Sequence, residues 1–174
     1  MKRTIIALVG DSGSGKTYAS FYLQLKFHWN AIVSFTTRPM REGEINGKEH
    51  WFVDKSRVPD KSKMFAYTQF GGYEYWAELK QFLAINPYVY VIDEKGLIDL
   101  KSNKDLPFQF KLITIKINRD NKDGIDKDRQ ERDKERIYIP DESYDYVINN
   151  NGSVEEFHVA LYTTAMAIKC NKLY

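Results

Sequence analysis

An unbroken run of aliphatic and β-branched residues, Thr4-Ile5-Ile6-Ala7-Leu8-Val9, stands near the start of the chain. Apolar positions without polar alternation predict a strand covered on both faces. The run leads into a glycine-rich stretch, Gly10 to Gly15, after which Ala19, Tyr22, Leu23 and Phe27 recur at helical spacing. The order is therefore strand, loop, helix. A second short strand is expected over residues 31 to 35. Asn46-Gly47, in a polar stretch beyond Arg38, signals a hairpin.

Pro59 and its charged neighbours predict an irregular connection, followed by a strand over residues 64 to 70 and a turn at Gly71-Gly72. Leu79, Phe82 and Leu83 suggest a helix over residues 76 to 86, ended by Pro87. Strands are expected at 88 to 92, 110 to 117 and 146 to 148, with a short helix at 96 to 104. Residues 119 to 136 are mostly charged and lack apolar periodicity, which predicts a solvated helix or a flap outside the core. Ser153 and Glu156 form a capping-box pattern ahead of Val154, Phe157, Leu161, Ala165 and Ile168 on one helical face. Strands alternating with helices imply an α/β protein with a parallel, doubly wound sheet.

Composition narrows this picture. The chain has 174 residues, 43% hydrophobic and 29% charged, the size and balance of one globular domain. Its 26 basic and 24 acidic residues leave a net charge of +2, too small a field for a nucleic-acid partner. Any basic site must be local. Cys170 is the only cysteine and has no internal disulfide partner, which favours a reducing compartment. The first apolar run is too short for a signal sequence, and nothing approaches the ~18 apolar residues of a membrane span. A cytoplasmic protein without a membrane partner, monomeric or homodimeric, is expected.

Gly10-Asp11-Ser12-Gly13-Ser14-Gly15-Lys16-Thr17 matches the eight-position phosphate-binding loop. Glycines let successive backbone N–H groups turn toward one anion, and the following helix adds its positive end. Lys16 supplies a point charge for β and γ phosphates, and the Thr17 hydroxyl can ligate Mg²⁺. ATP and Mg²⁺ are the expected cofactors, on a P-loop NTPase fold with helices flanking the sheet.

The segment Ser34-Phe35-Thr36-Thr37-Arg38-Pro39-Met40-Arg41-Glu42-Gly43-Glu44, continuing through Asn46-Gly47, His50 and Phe52-Val53, resembles the acceptor-binding segment of guanylate kinases. The resemblance runs on through Phe70, Gly72 and Tyr75, Ile92-Asp93 with Gly96, an arginine-bearing lid, and residues 144 to 149. It implies one guanylate kinase-like domain with an acceptor-binding insertion over about 34–78 and a lid over about 119–136. Arg38 and Arg41 are placed to grip one phosphate monoester through bidentate hydrogen bonds. By similarity Ser34 touches the acceptor nucleotide, Tyr75 donates to its phosphate, and Asp93 helps bind it. His50 stands where the family generally has a phosphate-binding tyrosine, and would donate to phosphate best when protonated.

The same register puts Ala66 where the family has a glutamate that reads guanine, Ala77 at a serine, Trp76 at a glycine and Val91 at an aspartate. Guanine specificity is thereby put in question. Arg129, Arg132 and Arg136 lie at i, i+3, i+7 spacing, so one helix face would present all three to the transferring phosphoryl group. The expected reaction is transfer of the ATP γ-phosphate to a (deoxy)nucleoside 5′-monophosphate. A kinase of another phosphomonoester, such as a sugar phosphate, and a non-catalytic interaction module are the competing readings.

Overall fold

The computed structural model describes residues 3–82, 87–103, 106–121 and 123–170, with the side chains of Asp128 and Arg132 left aside. The first apolar run forms β1 (Arg3–Val9), central in a five-stranded sheet. The other strands are β2 (Asn30–Ile32), β7 (Tyr88–Val91), β8 (Phe110–Asn118) and β9 (Tyr146–Asn149). Their order is β2-β7-β1-β8-β9, with every pairing parallel. Alternation along β1 sends Ile5, Ala7 and Val9 into one apolar layer and Ile6 and Leu8 into the other. That two-sided burial is why the run carries no polar alternation.

Three helices cover this sheet. Helix α1 (Lys16–Phe27) and helix α4 (Val154–Cys170) bury Ala19, Leu23, Phe157, Leu161, Ala165 and Ile168 in one layer. Helix α2 (Glu94–Ser102) buries Leu97 and Leu100 in the other. The capping box forms, with the Ser153 N–H donating to Glu156 Oε2 and the Glu156 N–H donating to Ser153 Oγ. Val154, expected on the buried face, is instead exposed, because it lies in the first turn before the helix reaches the core.

A second, four-stranded sheet has the order β4-β3-β6-β5. It is built from β3 (Phe35–Thr36), β4 (Trp51–Phe52), β5 (Met64–Phe70) and β6 (Tyr73–Glu78). The expected strand over 31 to 35 is thus two strands in different sheets, broken at Val33-Ser34. Asn46-Gly47 makes a turn, with Gly47 at φ +85, but no antiparallel hairpin: β3 and β4 pair in parallel. The intervening chain crosses over, closed by the Asn46 side chain accepting from the Phe52 N–H at 2.8 Å.

The helix expected over 76 to 86 does not form in its described part. Trp76 and Ala77 finish β6, followed by a 3₁₀ turn at Leu79–Gln81; Leu83 lies outside the described residues. Trp76 is fully buried, stacked on Phe35 with ring centroids 5.6 Å apart, and this packing overrides the helical spacing. The charged stretch forms α3 (Lys127–Asp133). Arg136 lies beyond its end, so the single helix face expected for Arg129, Arg132 and Arg136 is not the arrangement found. Nor is the stretch wholly solvated: the Arg136 side chain is only 10% exposed.

Candidate active site

At the carboxyl edge of the parallel sheet, where open α/β folds bind ligands, β1 runs into the glycine-rich loop. Gly15 caps α1 at φ +103, a conformation that L side chains rarely adopt. Its carbonyl accepts from the Ala19 N–H, and the neighbouring Ser14 carbonyl accepts from Asn150 Nδ2 at 2.9 Å. Asn150 is one site residue that the sequence reading missed; it lies in an Asn-rich turn without a motif of its own.

Lys16 Nζ donates to the Asp11 carbonyl at 2.5 Å, inside its own loop. Burial first, and Arg136 second, lower its pKa to about 7, against the opposing pull of Asp133, Asp11 and Glu94. An incoming polyphosphate would restore the charge. The loop also meets the lid: the Ser12 N–H and hydroxyl donate to the two Asp133 carboxylate oxygens at 2.8 and 3.0 Å. Arg119 donates to the Gly13 carbonyl at 3.3 Å.

Facing the loop, β3 and the turns after it carry the two acceptor arginines. Arg38 is 5% exposed and forks onto Glu44, donating to Oε2 at 3.0 Å and Oε1 at 2.8 Å. The Arg41 N–H also donates to Glu44 Oε2, at 2.8 Å, and the Arg41 guanidinium lies 3.7 Å from Oε1. Burial works against Glu44's charge, but the Arg38 and Arg41 contacts outweigh it and hold the carboxyl below its ordinary pKa. Glu44 therefore orients both arginines. Its i, i+3 and i, i+6 spacing to them was readable, but a Gly-Glu pair signals only a turn.

Ser34 is buried, with its hydroxyl 3.0 Å from His50 Nδ1. His50 packs edge-on against Tyr75. Burial, and then Arg38, lower the His50 pKa to about 4, so the ring is neutral near pH 7. The ring sits in a buried pocket beside a stronger cation, and in its neutral form it keeps one N–H to donate. Asp93 caps α2, its Oδ1 accepting from the Gly96 N–H at 2.6 Å, while Oδ2 accepts from the Thr68 hydroxyl at 3.3 Å. Burial raises its pKa against the pull of Gly96, Arg136 and Thr68. Glu94, adjacent, does not line the cavity and pairs with Lys116 and Arg136.

One cavity of about 520 Å³ joins these groups, in the usual size range of small-molecule sites. Gly13, Gly15, Lys16 and Thr17 line one end and Ser34, Arg38, Arg41, His50 and Tyr75 the other. Asp93, Arg129 and Arg136 also border it. The Arg129 Nε is buried without a hydrogen-bond partner. Ala66 and Ala77 lie outside it, opposite each other in the β5–β6 register and sealed in the core. Glu74 is also turned away, accepting from the Tyr67 hydroxyl at 3.0 Å. Among the described residues, no group of three His, Cys, Asp or Glu could hold a metal ion, and no helix is long and apolar enough to cross a membrane.

A phosphate loop opposed across one cavity by paired arginines, on a parallel sheet carrying a smaller second sheet, defines a P-loop phosphotransferase of the nucleoside monophosphate kinase class. The family model described as guanylate kinase matches residues 1–87, and the chain belongs to the guanylate kinase family. It is 27% identical to a guanylate kinase of Protochlamydia amoebophila, over 91% of this chain and 88% of that one. It is 28% identical to one from Nostoc sp., over 91% and 89%. The crystal structure of a guanylate kinase from Anaplasma phagocytophilum superposes with a TM-score of 0.71 at 24% identity, covering 95% of this chain and 86% of that one. This last likeness concerns the fold.

Proposed function

We propose that this chain, acting as one domain with an acceptor subdomain at about 34–78 and a lid at about 119–136, transfers the ATP γ-phosphoryl group to a (deoxy)nucleoside 5′-monophosphate. The observation that carries this reading is the single cavity with the phosphate loop at one end and Arg38, Arg41 and Tyr75 at the other. Gly10 to Thr17 cradle the donor phosphates, with Lys16 as the mobile cation. Arg38 and Arg41 take the acceptor phosphate, with Tyr75 donating beside them and Ser34, His50 and Asp93 contacting the nucleotide. Arg129, Arg132 and Arg136 neutralise charge on the transferring group.

Thr17 lines the cavity, and among the described residues no group of three His, Cys, Asp or Glu competes for a cation. The Thr17 hydroxyl would hold a Mg²⁺ ion brought in with the donor nucleotide, and the ion would supply charge neutralisation. No general base is needed, because the attacking phosphate oxygen is already anionic. The lid residues exclude water that would otherwise consume the donor. We place the protein in the cytoplasm, as a monomer or homodimer without a nucleic-acid or membrane partner.

The core packing of Ala66 and Ala77 leaves those two positions with no polar group for a base edge, which supports testing bases beyond guanine. The experiment is a coupled ADP-release assay over the common ribo- and deoxyribonucleoside monophosphates. Turnover with at least one is expected. Turnover of a phosphosugar alone would reject the nucleotide acceptor, and absence of ATP·Mg²⁺ binding at millimolar concentration would indicate an interaction module.

A further inference from the structure

Beside the cavity, and not lining it, lies a buried carboxylate to which the proposed mechanism gives no task. Glu94 is the first residue of α2 and is 2% exposed. Its Oε1 accepts from Lys116 Nζ at 3.0 Å, and its Oε2 lies 2.6 Å from Arg136 NH2, an ion pair outside hydrogen-bond angles. Lys116 belongs to β8, directly opposite Val9 at the end of β1. Glu94 and Lys116 are thus fixed to the sheet edge that carries the phosphate loop, whereas Arg136 follows the lid helix.

The rest of the Arg136 guanidinium is oriented by its surroundings. Nε lies 3.8 Å from Asp11 of the phosphate loop, NH1 3.7 Å from Asp133, and the group sits 5.8 Å above the Phe70 ring. Asp133 in turn holds Ser12. Arg136 therefore stands between donor loop and acceptor wall, with NH2 paired to Glu94 and Nε making no hydrogen bond. Glu94 borders a second hollow of about 430 Å³, which shares Phe70, Asp93 and Arg136 with the first cavity, while Glu94 itself lines only the second.

Physical reasoning connects these facts. A carboxylate this deeply buried is costly unless well paired. Lys116 alone serves only one of its oxygens. The second oxygen is compensated when Arg136 docks, so the core favours the docked lid and fixes where the guanidinium lies. An arginine suits this better than a lysine, because one nitrogen can face the socket while others face the cavity.

We propose that Glu94 is a positioning residue, a socket on the core that seats Arg136 and with it the docked lid between the two phosphate sites. The proposal rests on the phosphoryl-transfer reading for its kinetic consequence but not for the docking itself. Glu94→Gln keeps the shape and removes the charge. It is expected to lower kcat by about 10- to 100-fold, as misplacement of a charge-stabilising group does, while both KM values stay within about threefold.

A double-mutant cycle separates positioning from a general structural role. In an Arg136→Ala background, Glu94→Gln is expected to change kcat by less than about twofold. An equal loss in both backgrounds, or an unchanged kcat in the single variant, would overturn the proposal. If Glu94→Gln does not fold, Glu94→Asp, which draws the carboxylate back from Arg136, enters the same cycle with the same two outcomes. Limited trypsin cleavage after Arg136 reads the docking without any acceptor. Several-fold faster cleavage in Glu94→Gln than in the unaltered protein supports the socket, and equal rates refute it even if no nucleotide is phosphorylated.

Discussion

Glu44 grips Arg38 through both carboxylate oxygens, at 3.0 and 2.8 Å, and receives the backbone N–H of Arg41 at 2.8 Å on one of them. A single side chain thus sets the direction of one acceptor arginine and the backbone of the other. The arginines were visible in the sequence; what aims them was not.

Glu44→Gln should keep the turn but weaken the fork, because a neutral amide offers one acceptor oxygen where the carboxylate offers two. Acceptor KM is expected to rise about tenfold, with ATP KM within about twofold. Steady-state kinetics with both substrates varied checks this, and equal effects on both would show that Glu44 supports the fold rather than the clamp. Arg41→Ala should likewise act chiefly on acceptor use.

Lys16 predicts proton-linked ATP binding. Its pKa in the empty site is about 7, because burial and Arg136 disfavour the ammonium, whereas bound phosphates favour it. Above pH 7 the free protein has lost that proton and must regain it on binding. ATP affinity should therefore fall as pH rises from about 7 to 9, with uptake of up to one proton. Calorimetry at pH 8 in buffers of different ionisation heat measures the uptake. Lys16→Ala should abolish it and suppress turnover with every acceptor.

The His50 ring, with a pKa of about 4, should remain neutral through the range where enzymes of this kind are assayed. Its folded pKa lies below the ordinary 6.5, so the unfolded chain binds more protons between about pH 4 and 6.5. The stability linked to this group is fully present above 6.5 and is lost as pH falls through 4. His50→Gln should remove this dependence, about 3 kcal/mol over that window, in urea unfolding at several pH values. A resonance titrating near 6.5 and assigned to the His50 ring by its absence from His50→Gln would contradict it.

How much was legible follows from the range of each interaction. The phosphate loop, the α/β order and the capping box are local, and their residues carry them wherever the chain goes. The acceptor segment was legible through its resemblance. Trp76 shows the opposite case: helical spacing pointed to a helix, but its contact with Phe35 is made across two strands far apart in sequence. The Asn46-Gly47 turn is real, yet the strands it joins run parallel, with β3 paired on its other edge to β6. Glu94, Asp133 and Asn150 act through residues 20 to 140 positions away, and no spacing rule reaches so far.

The glycines of the chain offer a last test of what the backbone requires. Gly10 and Gly72 both have positive φ, +151 and +76, but a Cβ at Gly10 would come 2.2 Å from the Ile117 carbonyl oxygen while one at Gly72 meets nothing within 4 Å. Gly72→Ala should therefore cost only the backbone strain, about 1 kcal/mol, and leave turnover intact. Gly10→Ala carries the strain and a collision with the backbone of β8, at the point where β1 releases the phosphate loop. Its cost should reach about 3 kcal/mol or more, and ATP binding should be lost in whatever protein still folds, since relieving the clash displaces the loop. Urea unfolding of the two variants measured side by side gives the comparison; equal losses would mean that the close approach of Gly10 to β8 is not what fixes the loop.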